Sequence, residues 1–289
     1  MPSLSNEFLS LNIKAKGAEL SSVFDKQNRV EHLWQADPEV WGRHAPVLFP
    51  IVGRLKGDRY TFEGNTYTMK QHGLARDREF EWKESGSNEL TFSLRSDEES
   101  KKIYPFDFEF RIRYVLAEKQ VQVAYEVENT GKRDMPFSLG AHPGFAVPMG
   151  EDGAYEDYEI CFEQKETLER HLLEGGLYTG ERVRVMEDSH VLPLTEDMFD
   201  NDALVFHHPA SSYVILRSRT HRREVRVSMR GFPYLGIWAK PGAPFVCIEP
   251  WQGLADYVDT DGYLMHKKGI MTLGPSQVHC CGYEIMISS

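Results

Sequence analysis

Residues 108–116 and 121–129 alternate apolar and polar side chains with a period of two. A tight turn separates them, so they predict an antiparallel strand pair with one face buried. A sheet of that kind needs a second layer to cover it, which constrains the rest of the chain more than any other feature. Further short strands are predicted at 8–13, 17–24, 80–82, 90–94, 155–162, 213–217, 224–229 and 282–287. A hairpin with a glycine turn is predicted at 59–69. Residues 234–238 and 245–249 are continuous apolar runs, as central strands buried on both faces would be. Helix is scarce. One turn is predicted at 37–41, with Asp37 as cap and Pro38 in the first position, and a short helix at 96–102 ends before Pro105. Residues 165–200 are polar and turn-rich and predict short strands at best. No linker, repeat or low-complexity tract interrupts the chain. The expectation is one all-β domain over residues 1–289, a β-sandwich or related double sheet.

The charge balance narrows the partners. Lys plus Arg total 33 against 44 Asp plus Glu, a net charge of -11. Without a basic tract, neither nucleic acid nor an anionic membrane is expected as a partner. The N-terminus shows no basic-then-apolar signal pattern, and no run approaches the ~18 apolar residues of a membrane helix. The four cysteines, Cys161, Cys247, Cys280 and Cys281, fit neither a zinc ribbon nor a disulfide framework. A cytoplasmic protein with free thiols is expected, monomeric or homodimeric.

Three places carry candidate chemistry. In Ser138-Leu-Gly-Ala-His-Pro-Gly-Phe145, His142 sits on a corner shaped by Gly140, Pro143 and Gly144. There it either bonds a backbone carbonyl or projects into a cleft as a proton carrier. Glu249 ends the apolar run 245–248. It is either a desolvated general base or a strand-end carboxylate held by turn amides. His72 occupies a second glycine corner. His72 and His142 suggest a metal pair, but no His-x-His spacing and no third ligand supports one, so no metal is expected. His207–His208 reads as surface. No serine-nucleophile, phosphate-loop or dinucleotide fingerprint occurs.

Gly17-Ala-Glu-Leu20, Pro50-Ile-Val-Gly-Arg54, His72-Gly-Leu-Ala-Arg76, Gly140-Ala-His-Pro-Gly-Phe145 and Glu249-Pro-Trp251 occur in this order. Together they resemble the aldose 1-epimerase (galactose mutarotase-like) family, in its lactose-operon X-protein-like branch. The resemblance spans nearly the whole chain. It implies a large antiparallel β-supersandwich and cofactor-free interconversion of the α and β anomers of a sugar. It also implies Glu249 as general base, His142 as general acid, and Arg54 and His72 as substrate-binding groups. Asp202 is the expected aspartate on the sugar hydroxyls, with Asp200 as the other choice. Trp34, Trp251 and Phe145 are available as an apolar wall for a sugar face. Arg54, Arg76 and Arg78 lie close in sequence and suit a phosphate, which keeps a sugar-phosphate substrate open. A sugar-binding protein without turnover is a further alternative.

Overall fold

The computed structural model describes residues 1–150 and 153–288. The alternating stretches form the pair they predict. Phe108–Ala117 and Gln120–Asn129 are antiparallel neighbours, with Phe110 opposite Val127, Ile112 opposite Tyr125 and Tyr114 opposite Val123. These six side chains are buried, whereas Arg113 and Gln122 on the other face are exposed. The pair lies inside a nine-stranded sheet that runs from Leu177–Pro193 at one edge to Glu81–Gly86 at the other.

A six-stranded sheet forms the second layer. Its order is Leu204–His207, Tyr234–Trp238, Phe245–Gln252, Leu139–Ala141 and Val47–Leu48, and Gly144–Ala146 also pairs with Phe245–Gln252. The layers meet through aromatic side chains. Phe49, just past Val47–Leu48, lies 5.1 Å from Phe108 and 4.8 Å from Phe110, ring centre to ring centre. The architecture is a large antiparallel β-supersandwich with few short helices. The predicted helix shrinks to Glu98–Lys101, where Asp97 and Ser100 cap each other's backbone N–H. Residues 37–41 make a single turn, held by the Trp41 N–H on the Asp37 carbonyl at 2.8 Å and by the Asp37 side chain on the Glu39 N–H.

One expectation fails outright. Residues 165–200 are mostly long strand: Tyr158–Glu174 and Leu177–Pro193 have 17 residues each and pair as a hairpin. Four register shifts interrupt that pairing, and each resets which side chains face inward. The alternation that would announce a strand is therefore scrambled in the sequence. The error matters, because this hairpin leans over the candidate site.

Phe245–Gln252 is the spine of the six-stranded sheet and is buried at every residue. Phe245, Cys247, Glu249 and Trp251 share one face, by the period of two. Val246 and Ile248 on the opposite face join the main core, as do Phe245 and Cys247. Trp251 instead joins a smaller apolar cluster with Leu48, Val52, Val205 and Tyr178, which floors a cavity.

Candidate active site

The cavity holds about 350 Å³. That is near the lower end of ligand pockets, which run from roughly 300 to 1,000 Å³, and suits a single sugar ring better than an oligosaccharide. His142, Glu249, His72 and Asp202 all line it.

Glu249 is only 1% exposed, because its strand is covered on both faces. Burial drives its carboxyl well above the usual carboxylate range, and Asp202 nearby adds to the effect. His142 is also buried. Burial, and then the Arg76 charge, push its imidazole down to about 3. Nε2 of His142 stands 3.1 Å from Oε2 of Glu249, yet off the line of a good hydrogen bond, so that oxygen has no well-aligned partner. Nδ1 of His142 is also buried without a partner. A proton acceptor and a proton carrier thus face the same space with unspent hydrogen-bonding capacity.

Indole rings frame the pair. Trp41 stacks on the His142 ring at 5.1 Å, and Trp238 meets it edge-on at 5.8 Å. Trp251 lies flat across the sheet because the strands beside it carry glycine. A Cβ on Gly236 would come within 2.8 Å of the Trp251 ring, and one on Gly140 within 2.7 Å. Gly236 is also the register partner of Glu249.

His72 is held in a left-handed conformation, φ 66°, by two bonds to Gly53. The His72 N–H donates to the Gly53 carbonyl at 2.9 Å, and the Gly53 N–H donates to Nδ1 at 3.1 Å. Nδ1 is therefore the acceptor, and a neutral ring carries its proton on Nε2, where the Gln71 side-chain amide 3.3 Å away must turn its oxygen to accept. Burial keeps the ring neutral by pulling its pKa well down, with His142 and Arg76 adding to the effect. His72 is thereby set up as a hydrogen-bond donor rather than a charge.

Residues 2–271 match the sequence profile of the family described as aldose 1-epimerase. The chain belongs to the aldose 1-epimerase family. It is 34% identical to the plasmid-encoded protein LacX of Lactococcus lactis subsp. lactis, over 98% of each chain. Its fold superposes on a galactose mutarotase related enzyme from Lactobacillus acidophilus with a TM-score of 0.95, at 38% identity over 100% of this chain and 97% of that one. A galactose mutarotase-like protein from Lactobacillus casei gives a TM-score of 0.94 at 30% identity over the full length of both. Membership in this family points to sugar epimerase or mutarotase chemistry in general terms.

Within this family fold, Arg54 stands apart from the other expected site residues. It does not line the cavity. Its guanidinium bonds both Asp58 oxygens, at 3.0 and 3.1 Å, and reaches the Gly175 carbonyl. Arg78 likewise pairs with Asp97. Arg76 is the arginine at the cavity, with Nη2 on the Gln71 carbonyl at 2.7 Å and Nε buried without a partner. The three arginines that lie close in sequence are thus dispersed. Of the two candidate aspartates, Asp202 lines the cavity and Asp200 does not. Asp202 has a left-handed backbone, φ 71°, and accepts from the Ala203 N–H at 2.7 Å. Arg170, on the long hairpin, clamps that turn by donating to the carbonyls of Asn201, Asp202 and Ala203.

Trp34 and Phe145 lie outside the cavity lining. Trp34 acts from behind, donating from Nε1 to the Trp41 carbonyl at 2.7 Å, while Phe145 is fully buried core. Trp41, Trp238, Gln71, Leu173 and Tyr178 line the cavity without having been anticipated. Leu173 and Tyr178 belong to the hairpin whose strands the sequence conceals. The His207–His208 pair also divides. His208 is exposed, but the half-buried His207 stacks on His171 at 3.5 Å, and burial pushes it down to about 3.

Proposed function

We propose that this protein is an aldose 1-epimerase that interconverts the α and β anomers of a hexose by acid–base ring opening, without a cofactor. The observation that carries this reading is the 3.1 Å approach of His142 Nε2 to Glu249 Oε2 at a sugar-sized cavity. Anomerisation acts on two oxygens, the C1 hydroxyl and the ring oxygen, both bonded to the same carbon. An acid and a base with adjacent tips can serve both without moving the substrate.

Glu249 takes the proton of the C1 hydroxyl, and the O–H electron pair becomes the second bond of the C1 carbonyl. The bond from C1 to the ring oxygen breaks, and the ring oxygen takes its proton from His142. Rotation about C1–C2 presents the other face of the aldehyde, and reclosure reverses both transfers. Burial alone favours the neutral pair, with the proton on Glu249. The reactive pair, carboxylate and imidazolium, differs by one proton moved between the two groups. A hydroxyl donating to the carboxylate and a ring oxygen accepting from Nε2–H both favour the charged form. General acid and base contribute roughly 10²–10⁴-fold each. In this reading the neutral His72 donates from Nε2–H, Asp202 accepts from sugar hydroxyls, and the indoles of Trp251 and Trp238 cover the apolar face of the sugar.

A sugar phosphate is the second reading, and Arg76 favours it. Its guanidinium lies at the cavity with an unpartnered Nε, and arginine suits phosphate. Polarimetry on freshly dissolved α-D-glucose, α-D-galactose and their 6-phosphates separates the cases. The enzyme reading expects rotational equilibrium to be reached faster than in buffer. A preference for the phosphates selects the second reading. Sugar-dependent thermal stabilisation with no acceleration would instead mark a binding protein.

A further inference from the structure

The proposed chemistry leaves unused one thiol that lies against it. Cys247 is fully buried, two residues before Glu249 on the same face of the same strand. Across the ladder it pairs with Gly144, two residues after His142. The corner and the strand therefore bring a thiol, an imidazole and a carboxylate together. Their donor atoms all lie within 4.8 Å of one another. The three residues are 0%, 8% and 1% exposed, and Oε2 of Glu249 has no aligned partner. The sequence shows no third ligand beside the two corner histidines, because Cys247 lies far from both in the chain.

We propose that Cys247, His142 and Glu249 form a site for a borderline-soft divalent cation of the Zn²⁺ class, and that the bound ion silences the acid–base pair. The donor set selects the ion. Thiolate and imidazole favour Zn²⁺ over Mg²⁺ or Ca²⁺, which prefer all-oxygen shells. Tetrahedral zinc holds its donors roughly 3.3–3.8 Å apart, from bond lengths of about 2.0–2.3 Å. The group needs only a modest contraction to reach that spacing. Two of the three donors, His142 and Glu249, line the cavity, which gives an ion a way in. Space near the thiol is guarded: a Cβ on Gly144 would come within 2.9 Å of Trp41 and 3.4 Å of the Cys247 sulfur. Binding and catalysis exclude each other, because the ion takes the lone pairs that must exchange protons with the sugar. The silencing half of this proposal rests on the mutarotase reading. The site itself does not.

The test uses the metal-free full chain with Co²⁺ as a spectroscopic probe and Zn²⁺ as competitor, alongside Cys247→Ser and Cys247→Ala. The expected result is one Co²⁺ per chain with a cobalt–thiolate charge-transfer band, displaced by Zn²⁺ and lost in both variants. In the same preparations Zn²⁺ should lower the wild-type mutarotation rate by about 10²-fold or more, the share of a general acid–base group. A chelator should restore it, Mg²⁺ should do nothing, and both variants should keep their rate in Zn²⁺. Absence of the band, or its survival in both variants, overturns the site. Zn²⁺ binding at Cys247 with an unchanged rate overturns the silencing. If the metal-free protein accelerates no sugar, the mutarotase reading fails, and the cobalt band still decides the site.

Discussion

Gly236 sits directly opposite Glu249 in the antiparallel register, and the hydrogen it carries in place of a side chain leaves room for the Trp251 ring beside the carboxylate. An indole therefore walls the carboxylate, and burial raises its proton affinity.

Glu249→Gln keeps the shape and removes the proposed base. Mutarotation is expected to fall by about 10²–10⁴-fold, while the thermal melt stays cooperative. His142→Gln should fall by a similar factor, and the double variant by little more than either single one, since the two groups act as a unit. Polarimetry with circular dichroism on the same samples checks this. A double variant whose losses multiply would mean that the residues act independently.

Gly236→Ala should harm both stability and rate. Its Cβ would come within 2.8 Å of the Trp251 ring and 3.3 Å of the Glu249 Cβ, in a backbone where neither can retreat freely. Overpacking of this kind costs about 1–3 kcal/mol. Urea denaturation should show a lower midpoint with an unchanged slope. An unchanged midpoint would mean that the indole has more freedom than the packing suggests.

Arg170→Gln should separate binding from chemistry. Arg170 donates to the carbonyls of Asn201, Asp202 and Ala203 and touches neither His142 nor Glu249. Removing it leaves the buried Ala203 carbonyl short of a donor, at about 1–3 kcal/mol, and frees the turn that presents Asp202. A raised KM with kcat largely kept is the expected pattern, read from initial rates across sugar concentrations. An equal loss in kcat would place the turn in the chemical step instead.

His32 should make the fold acid-sensitive. It is 1% exposed with neither ring nitrogen bonded among the described residues, and burial lowers it from 6.5 to about 4, against the attraction of Asp25 and with the help of Arg223 and Lys119. A depressed native pKa means that the unfolded chain binds the proton first. Its contribution is whole above pH 6.5 and is lost as pH falls toward 4. The difference corresponds to roughly 3 kcal/mol. His32→Leu should flatten the stability profile across that window in chemical denaturation at a series of pH values. An unchanged slope would show that other buried histidines, such as His142, dominate it.

The sequence by itself determined the elements whose environment is uniform along the chain. One face of 108–129 is buried and the other is wet, so alternation records the fold there directly. The run 245–248 is covered on both sides, so unbroken hydrophobicity records that too, but it left open whether the carboxylate at its end is desolvated, which the packing decided. The ordered short motifs marked the corners that carry His72 and His142. The tertiary structure decided what depends on approach between distant segments. Bulges in Tyr158–Glu174 reset the inward face, so the hairpin that brings Arg170, Leu173 and Tyr178 to the site left no periodic trace. Arg54 and Arg76 are equivalent as letters, yet Asp58 lies within reach of one and the cavity beside the other. Cys247 reads as core in its apolar run, because the His142 imidazole beside it comes from another segment. Periodicity reports how a strand is covered, whereas a site is made by which strands meet, and only the packing of the two sheets decides that.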